Sequence, residues 1–312
     1  MSSDNAGRAA ATAYIDGVAG RAPRQVFSPR RAAIDEVRLY GLSAPDHWHL
    51  VTIGLADLGF ELTVRLPRPD DSLPTWAVDL LVSLAAYARR SGHPFADGHH
   101  IDLRGPIRLG SDTAITAAAV TADPTLGTLG AVEFLQVMGL TADELELCRS
   151  WRTAAVIGLL RQRDPASHRG RLGLTELERP SLLDDPALRE VAEAGVAAEG
   201  SALEELQVAS LSWRRRRSAL VVTLGAGAAT ALGPALRRKL NREGARFVVV
   251  GDAGELRFEV TSTPEWRLVS DDGGLAVQLP LAGVDEIANL FNGSTGTGRV
   301  AALAGVRFVV IA

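Results

Sequence analysis

Two pairs of closely spaced histidines are the residues of this sequence with the clearest potential for chemistry. His47 and His49 flank Trp48 at the start of an apolar run, and His99 and His100 are adjacent. Histidine is the commonest metal ligand and exchanges protons near neutral pH. We expect the members of each pair to point to opposite sides of a strand, which is poor geometry for two ligands of one metal. With no cysteine nearby and no His-Glu-x-x-His helix, we predict neither a metal site nor a cofactor.

The sequence contains no arrangement typical of an enzyme that uses a nucleophile. It has no Gly-x-Ser-x-Gly elbow. Cys148 is the only cysteine; it lies beside leucines in a predicted helix, which indicates a packed thiol, and it permits no disulfide within the chain. Adjacent acidic residues at 70–71, 184–185 and 204–205 are typical of turns and helix caps. We therefore predict no catalytic residue.

One segment, residues 220–252, approaches the fingerprint of a dinucleotide-binding fold. A predicted strand leads into Gly225-x-Gly227, a helix follows, and the next strand ends at Asp252. In such folds the glycines admit a pyrophosphate and the acid binds a ribose. Against this, Thr230 occupies the position of the third glycine, and the stretch around Asp252 is typical of a hairpin. A nucleotide-binding enzyme or sensor that uses this segment is our alternative hypothesis.

The composition favours a soluble globular protein of the cytoplasm. Among 312 residues, 46% are hydrophobic and 22% are charged. A net charge of −4 attracts neither nucleic acid nor an anionic membrane surface, so we predict neither as a partner. The N-terminus lacks the basic and apolar regions of a signal peptide, and no apolar run approaches the ~20 residues of a membrane span. The single cysteine also fits a reducing compartment.

The first two hundred residues alternate between strand and helix patterns. Residues 49–55 and 60–66 show the partial alternation of a strand pair. We interpret residues 47–49 as the start of the first strand, with Trp48 packed inward and the histidines outside. Residues 73–92 have apolar side chains at spacings of three and four, which predicts a helix.

Two further helices have predicted caps. Thr141 lies three residues before Glu144, which is the spacing of a capping box. Asp185 precedes Pro186, and these residues are favoured at the N-cap and at the first helical position.

The predicted fold class is mixed α/β (α+β), with two lobes that are each a mixed β-sheet flanked by helices. Six strand patterns and two helices follow residue 203. Within them we interpret the arginines of 213–217 as a solvated strand edge and 292–299 as a flexible loop. We predict a flexible N-terminal tail over 1–28, a first domain over 29–202 and an α/β subdomain over 203–312.

Several ordered stretches resemble the Suppressor of fused (SUFU) domain family. The resemblance covers about residues 40–205 and rests on these four stretches: "PDHWHLVTIGLADLGFELTVRL", "LPTWAVDLLVSLAAYARRSGHPFADGHHI", "GAVEFLQVMGLTADELELCRSW" and "LTELERPSLLDDP". It implies a mixed α/β fold without enzymatic activity. In the animal member, a cleft between two lobes grips an extended segment of a transcription factor, and bacterial members are proposed to be immunity proteins that neutralise toxins.

The resemblance also implies which residues bind a partner. By position, Tyr87 of "AAYARR" and His99 of "GHHI" correspond to the peptide-gripping cleft. The animal member has an acidic residue at the His99 position, which implies a different ligand here. The predicted partner-binding residues are Tyr87, His99, Trp48 and His49. The predicted partner is a protein, such as a toxin domain, whose extended segment is held between the lobes.

Overall fold

The computed structural model describes residues 3–29, 33–92, 94–163, 171–202, 205–208, 210–216, 219–269 and 274–312. Seven α-helices and seventeen strands lie within these residues, so the predicted mixed α/β fold class is confirmed. The chain divides into two compact units, residues 1–148 with 152–193 and residues 149–151 with 194–312.

An eight-stranded mixed sheet organises the first unit. Its strands are β1 (Gln25–Phe27), β2 (Glu36–Leu42), β3 (His47–Ile53), β4 (Phe60–Pro67), β5 (His100–Asp102), β6 (Ile115–Ala122), β7 (Thr128–Leu129) and β8 (Val132–Thr141). They follow the order β1-β2-β3-β4-β8-β6-β5, and β7 also pairs with β8. The β4–β8 pair is parallel and the others are antiparallel.

Helices cover both faces of this sheet. Among the described residues up to 200, the helices are α1 (Ser3–Ala19), α2 (Thr75–Ser91), α3 (Ala142–Ser150), α4 (Thr153–Gln162) and α5 (Pro186–Glu199). Leu84 of α2 shares an apolar cluster with Trp48 and Leu50 of β3, whereas Ile15 of α1 shares another with Val51. Because successive strand residues face opposite sides, α2 and α1 cover opposite faces of β3.

The N-terminal segment differs from the flexible tail that the sequence predicts over residues 1–28. Ser3–Ala19 forms a helix of 17 residues, and Ile15 is buried in the cluster that includes Val51. Gln25–Phe27 then pairs with β2 at the edge of the sheet. The segment is rich in alanine and has few large apolar residues, so its pattern is weak. Packing onto the sheet stabilises a helix that the local sequence only weakly specifies.

Local signals predict several helix boundaries correctly. The predicted helix over residues 73–92 is confirmed as α2, and it ends at Gly92, whose φ of 70° suits glycine. The Thr141 amide donates to the Glu144 carboxylate at 2.9 Å, and α3 begins at the next residue. Asp185 accepts a hydrogen bond from the first turn of α5, as predicted.

The second unit contains two mixed sheets around one apolar core. Its strands are β9 (Glu205–Gln207), β10 (Leu211–Arg216), β11 (Ala219–Gly225), β12 (Arg246–Gly251), β13 (Gly254–Val260), β14 (Glu265–Val269), β15 (Gly274–Leu279), β16 (Gly296–Gly298) and β17 (Val306–Ile311), and its further helices are α6 (Ala226–Lys239) and α7 (Leu281–Leu290). The sheets have the orders β10-β11-β17-β16 and β14-β15-β13-β12-β9. Val222, Leu232, Phe247 and Ile287 belong to the shared core.

Parts of the second unit differ from the sequence-based expectation. The stretch 203–213, predicted as one strand, contributes β9 and β10 to different sheets. The loop predicted over 292–299 contains β16, which pairs with β17. β9 pairs with β12, which is distant in sequence, whereas β16 pairs with the next strand of the chain, β17. The solvated edge is confirmed for the described arginines, because β10 ends its sheet and Arg214, Arg215 and Arg216 are exposed.

We expect Gly233→Ala to lower the free energy of unfolding by about 1–3 kcal/mol, because overpacking forces the backbone to move. A β-carbon at Gly233 would lie 2.9 Å from the Ala288 carbonyl oxygen of α7 and closer still to that of Phe291. Urea denaturation followed by circular dichroism measures the change. The matched control is Gly227→Ala in the same helix, where a β-carbon meets nothing within 4 Å. Equal stability of the two variants would contradict this close approach of α6 and α7.

Candidate functional site

Arg65 and Asp123 form a buried ion pair in the first unit. Arg65 lies on β4 and Asp123 directly follows β6, and their side chains are 1% and 0% exposed. Two guanidinium nitrogens bind the two carboxylate oxygens, with 2.6 Å from Nη1 to Oδ2 and 2.9 Å from Nη2 to Oδ1. This bidentate arrangement is the strong form of an arginine–carboxylate hydrogen bond.

Further hydrogen bonds satisfy most of the remaining polar atoms of the pair. Arg65 donates to Gln136 Oε1 at 3.1 Å and to Thr125 Oγ1 at 2.6 Å. Asp123 accepts from the Thr63 hydroxyl at 2.7 Å. Because a buried charge is tolerated only when it is paired and hydrogen-bonded, these contacts make the pair part of the folded core.

The charge state of Asp123 follows from its neighbours. Burial alone would raise the pKa of this carboxyl, but the charge and hydrogen bonds of Arg65 outweigh burial and hold the pKa well below its ordinary value. The carboxylate therefore stays ionised throughout the physiological pH range.

His47 and His49 correct two expectations drawn from the sequence. They lie on the same face of β3, because residues two apart in a strand point the same way. They are also buried, with 4% and 3% exposure, rather than outside. The reason is that α2 covers the face of Trp48 while α1 covers the other face, so the strand has no solvent-exposed side. The prediction that Trp48 packs inward is confirmed.

Both imidazoles are held in the neutral form. The Nδ1 atom of His47 lies 2.7 Å from the Pro45 carbonyl oxygen, which can only accept, so Nδ1 carries the proton. Burial lowers the pKa of His47, and the Arg65 charge adds to this effect. Burial, followed by the Arg65 charge, lowers the pKa of His49 to about 4. The Nε2 atom of His49 lies 3.3 Å from Asp123 Oδ2 but is not aligned for a hydrogen bond.

These histidines border a cavity of about 350 Å³ in the first unit. Its polar lining includes His47, His49, Arg65 and Thr125, with the exposed Arg21 also at its boundary. Its apolar lining comes from α1, from the end of β2 and the turn that follows it, from the loop after β6, and from Leu172. The arrangement is a concave wall of apolar side chains together with several polar and charged ones, which is a form that a small-molecule site can take.

A second feature of the first unit is an aromatic patch in which the exposed side chains of Tyr87 and His99 lie next to the buried Phe95. The Tyr87 side chain is 43% exposed, and its ring centroid lies 6.0 Å from that of Phe95. The Ala96 amide, next along the chain, donates to His99 Nδ1 at 3.3 Å, and the His99 amide donates back to the Ala96 carbonyl at 3.2 Å. Tyr87 and His99 are therefore linked through Phe95 and Ala96, and they lie beside β5, the strand at one edge of the sheet.

Trp48 and His49 do not join this patch. Both are buried, and His49 lies on the face of the sheet that α1 covers, opposite α2. Because both faces of the sheet are buried, neither side chain is exposed for direct contact with a protein partner in this conformation. A role of Trp48 and His49 in partner binding stays a prediction.

Arg65 and Asp123 are functional candidates that the sequence analysis missed. One signal was present: polar Glu61, Thr63 and Arg65 alternate with apolar residues along β4, and such a pattern normally indicates a solvent-exposed face. Here that face is buried, so the same pattern marks a polar network inside the unit.

The strands around residues 220–252 are not arranged as the alternative hypothesis of a dinucleotide site requires. β11, which leads into Gly225, belongs to one sheet, whereas β12, which leads to Asp252, belongs to the other. Asp252 lies in the turn of the β12–β13 hairpin, as predicted. A dinucleotide fold needs both strands parallel in one sheet, so residues 220–252 do not form that site.

Metal and membrane features are absent from the described part of the chain. Among those residues, no group of three or more His, Cys, Asp or Glu side chains is arranged to hold a metal ion. No described helix combines the length and apolar character that a membrane crossing requires.

Together, the fold and these sites define a mixed α/β protein of two compact units, with a buried polar core and a partly exposed aromatic patch in the first. Residues 33–180 match the family model described as Suppressor of fused protein (SUFU), so this chain carries a domain of the SUFU family.

Known relatives agree with this assignment. The human and mouse Suppressor of fused homologs are each 30% identical to the chain over 195 residues, which cover 54% of this chain and 40% of each relative. The crystal structure of Drosophila Suppressor of Fused superposes with a TM-score of 0.64 at 17% identity, covering 89% of both chains. A Sufu–Fu complex structure gives 0.55 at 22% identity, covering 61% of this chain and 96% of that one. At these identities the structural matches establish the fold.

Proposed function

We propose that this chain is a non-enzymatic protein-binding protein whose SUFU domain holds an extended segment of another polypeptide. The observation that carries the proposal is the patch at the edge of the eight-stranded sheet, where Tyr87 and His99 are exposed and Tyr87 packs on the buried Phe95. Aromatic residues with one apolar face and one polar tip are enriched where proteins bind each other. A protein of the same fold occurs in a Sufu–Fu complex, which supports this class of function.

The proposed mode of binding is a combination of backbone and side-chain contacts. An extended peptide that adds to a sheet edge obtains affinity from main-chain hydrogen bonds and specificity from pockets for alternate side chains. The patch lies beside β5 at the edge of its sheet, so an aromatic or aliphatic side chain of the peptide would pack on Tyr87.

The proposed partner is a toxin domain in a bacterial cytoplasm, and the chain acts as its immunity protein. This finer proposal rests on the resemblance to bacterial SUFU proteins. Its mechanism is occlusion: the bound chain covers the toxin's active site, and no covalent bond is made or broken.

We expect Tyr87→Ala to weaken binding of the partner about tenfold or more, since exposed tyrosines at the centre of an interface are common hot spots. The probe is a purified candidate toxin domain chosen from the genes that neighbour this one, and calorimetry gives the Kd. His99→Ala is expected to weaken binding less, because its imidazole is polar and already accepts from Ala96.

The matched control is Asp79→Ala, because Asp79 is exposed on the same helix as Tyr87. It should bind like the native chain, and all variants should keep the native melting temperature. In cells that express the toxin domain, the native chain and the control should protect growth and Tyr87→Ala should protect poorly. Equal binding by Tyr87→Ala and the native chain would show that the patch is not part of the interface. If the native chain does not bind the toxin domain at all, the proposal that a toxin is the partner is wrong.

A further inference from the structure

We propose that the cavity bordered by His47, His49 and Arg65 binds a small carboxylic acid with an apolar body. This site is separate from the patch of Tyr87, which lies on the α2 side of the sheet, whereas the cavity lies on the α1 side. Binding of such an acid is therefore independent of the proposed binding of a protein partner.

The size and walls of the cavity suit such a ligand. Its volume of about 350 Å³ is within the range of small-molecule pockets. Ile15, Val18, Leu42, Leu126 and Leu172 provide an apolar wall. An aliphatic chain or a phenyl ring would pack on this wall, and burial of its surface would contribute roughly 25 cal/mol per Å².

Two unpartnered nitrogens indicate a polar group on the ligand. His47 Nε2 and Arg65 Nε are buried and have no hydrogen-bond partner, and their residues are 4% and 1% exposed. His49 Nε2, in contrast, lies 3.3 Å from the Asp123 carboxylate. All three residues line the cavity. A buried polar atom without a partner costs about 1–3 kcal/mol, so a ligand that satisfies the two unpartnered atoms gains affinity.

The chemistry of these atoms specifies both a donor and an acceptor. Arg65 Nε carries a hydrogen and donates. Since Nδ1 of His47 donates to Pro45, Nε2 of the neutral ring is an acceptor. One carboxylate oxygen can accept from Arg65 Nε, and the other can pair with His47 Nε2 once this atom is protonated.

The surrounding charges favour an anion over a cation. The charged groups around His47 are Arg65, Arg68 and Asp123, and Arg21 also lines the cavity. Arg65 is paired with Asp123, and Arg68 is paired with Asp46. Among the described residues Arg21 has no carboxylate partner; it donates to the Gly41 carbonyl at 2.8 Å. One positive charge is therefore left uncompensated near the cavity.

Binding is coupled to protonation of His47. In the free protein this imidazole is neutral, because burial and Arg65 lower its pKa. A carboxylate beside Nε2 favours the imidazolium, so one proton moves from solvent to Nε2 when the ligand binds. By linkage, the affinity should rise as the pH falls.

The test is isothermal titration of the full chain with 3-phenylpropionate at pH 6 and pH 8. We expect binding at least tenfold tighter at pH 6, and titration in buffers of different ionisation enthalpy should show uptake of about one proton. 3-Phenylpropan-1-ol, which has the same apolar body without the carboxylate, should bind at least tenfold more weakly. N-acetylphenylalanine is a further test compound, because it resembles the C-terminal residue of a polypeptide. If it binds more tightly than 3-phenylpropionate, the natural carboxylate is the C-terminus of a polypeptide.

Variants within and outside the cavity test whether the acid binds there. His47→Asn keeps a donor near Pro45 but removes Nε2, so it should lose the pH dependence and at least tenfold in affinity. His99→Asn is the matched control at an exposed histidine and should bind like the native chain. Val18→Trp, at an exposed position on the boundary, should obstruct the cavity without disturbing the core. Tyr87→Ala should leave acid binding unchanged.

Three results would overturn the proposal. The first is no binding of either acid at millimolar concentration. The second is equal binding of the acid and the alcohol. The third is native affinity in both His47→Asn and Val18→Trp, which would place the ligand elsewhere on the protein.

Discussion

Replacing Asp123 with alanine is expected to lower the free energy of unfolding by about 3–5 kcal/mol, the usual cost of removing one partner of a buried ion pair. The variant would leave the Arg65 guanidinium buried with a reduced set of partners, Gln136 and Thr125. It would also remove the acceptor of the Thr63 hydroxyl. Urea denaturation at pH 7, followed by circular dichroism and by tryptophan fluorescence, measures the loss.

The control is Asp57→Ala, which removes an exposed ion pair of the same chemical type. Asp57 and Arg89 lie 2.8 Å apart, but their side chains are 62% and 34% exposed. Surface pairs contribute about 0–1 kcal/mol, so this variant should remain close to the native stability. A loss for Asp123→Ala as small as that for Asp57→Ala would mean that the buried pair is not part of the stabilising core.

A double variant separates the charge from the packing. Arg65→Met with Asp123→Leu removes both charges and retains apolar volume. Replacing a whole buried pair with apolar residues is often neutral or stabilising, so the double variant should be more stable than either single one. A double variant that is less stable than both would indicate that the pair contributes a net favourable interaction.

Acidification from pH 7 to pH 4 is expected to remove about 3 kcal/mol of stability through His49, given the shift of its pKa from 6.5 to about 4. Between these values the unfolded chain binds a proton that the folded chain does not. The contribution is therefore complete above pH 6.5 and declines as the pH falls towards 4. The lowered pKa of His47 acts in the same direction. Urea denaturation at pH 7, 5.5 and 4.5 measures the decline.

The comparison variant for this prediction is His49→Gln, which cannot titrate. Burial raises the pKa of Glu61, so Glu61 opposes the histidines as the pH falls. The pKa of Asp123 is lowered, so its contribution is lost only below the ordinary carboxyl range. The free energy of unfolding is plotted against pH for the native chain and for His49→Gln. The difference between the two slopes is the contribution of His49 to the pH dependence. Identical slopes above pH 4.5 would show that this imidazole is not buried in the neutral form.

Local chemistry determined a large part of the fold. The stripe of α2, the terminating Gly92, the capping pattern at Thr141 and the hairpin around Asp252 are each specified by residues within a few positions of each other. Such signals act through backbone geometry and nearby hydrogen bonds, so they can be read from the chain without knowing what packs against it. The resemblance to the SUFU family was carried by ordered motifs of the same stretches.

Tertiary structure decided which side chains of the strands are buried, because burial depends on the elements that pack over each face of the sheet. The sequence correctly placed Trp48 on an inward face, but only the position of α1 determined that His47, His49 and Arg65 are buried as well. An alternating strand is compatible with either water or a helix on its polar side, and the choice is made by residues far away in the chain. Burial then changes the chemistry, because it neutralises the imidazoles and makes the Arg65–Asp123 pair part of the core. The sequence thus determined which elements form, while long-range packing determined which of their side chains became a site.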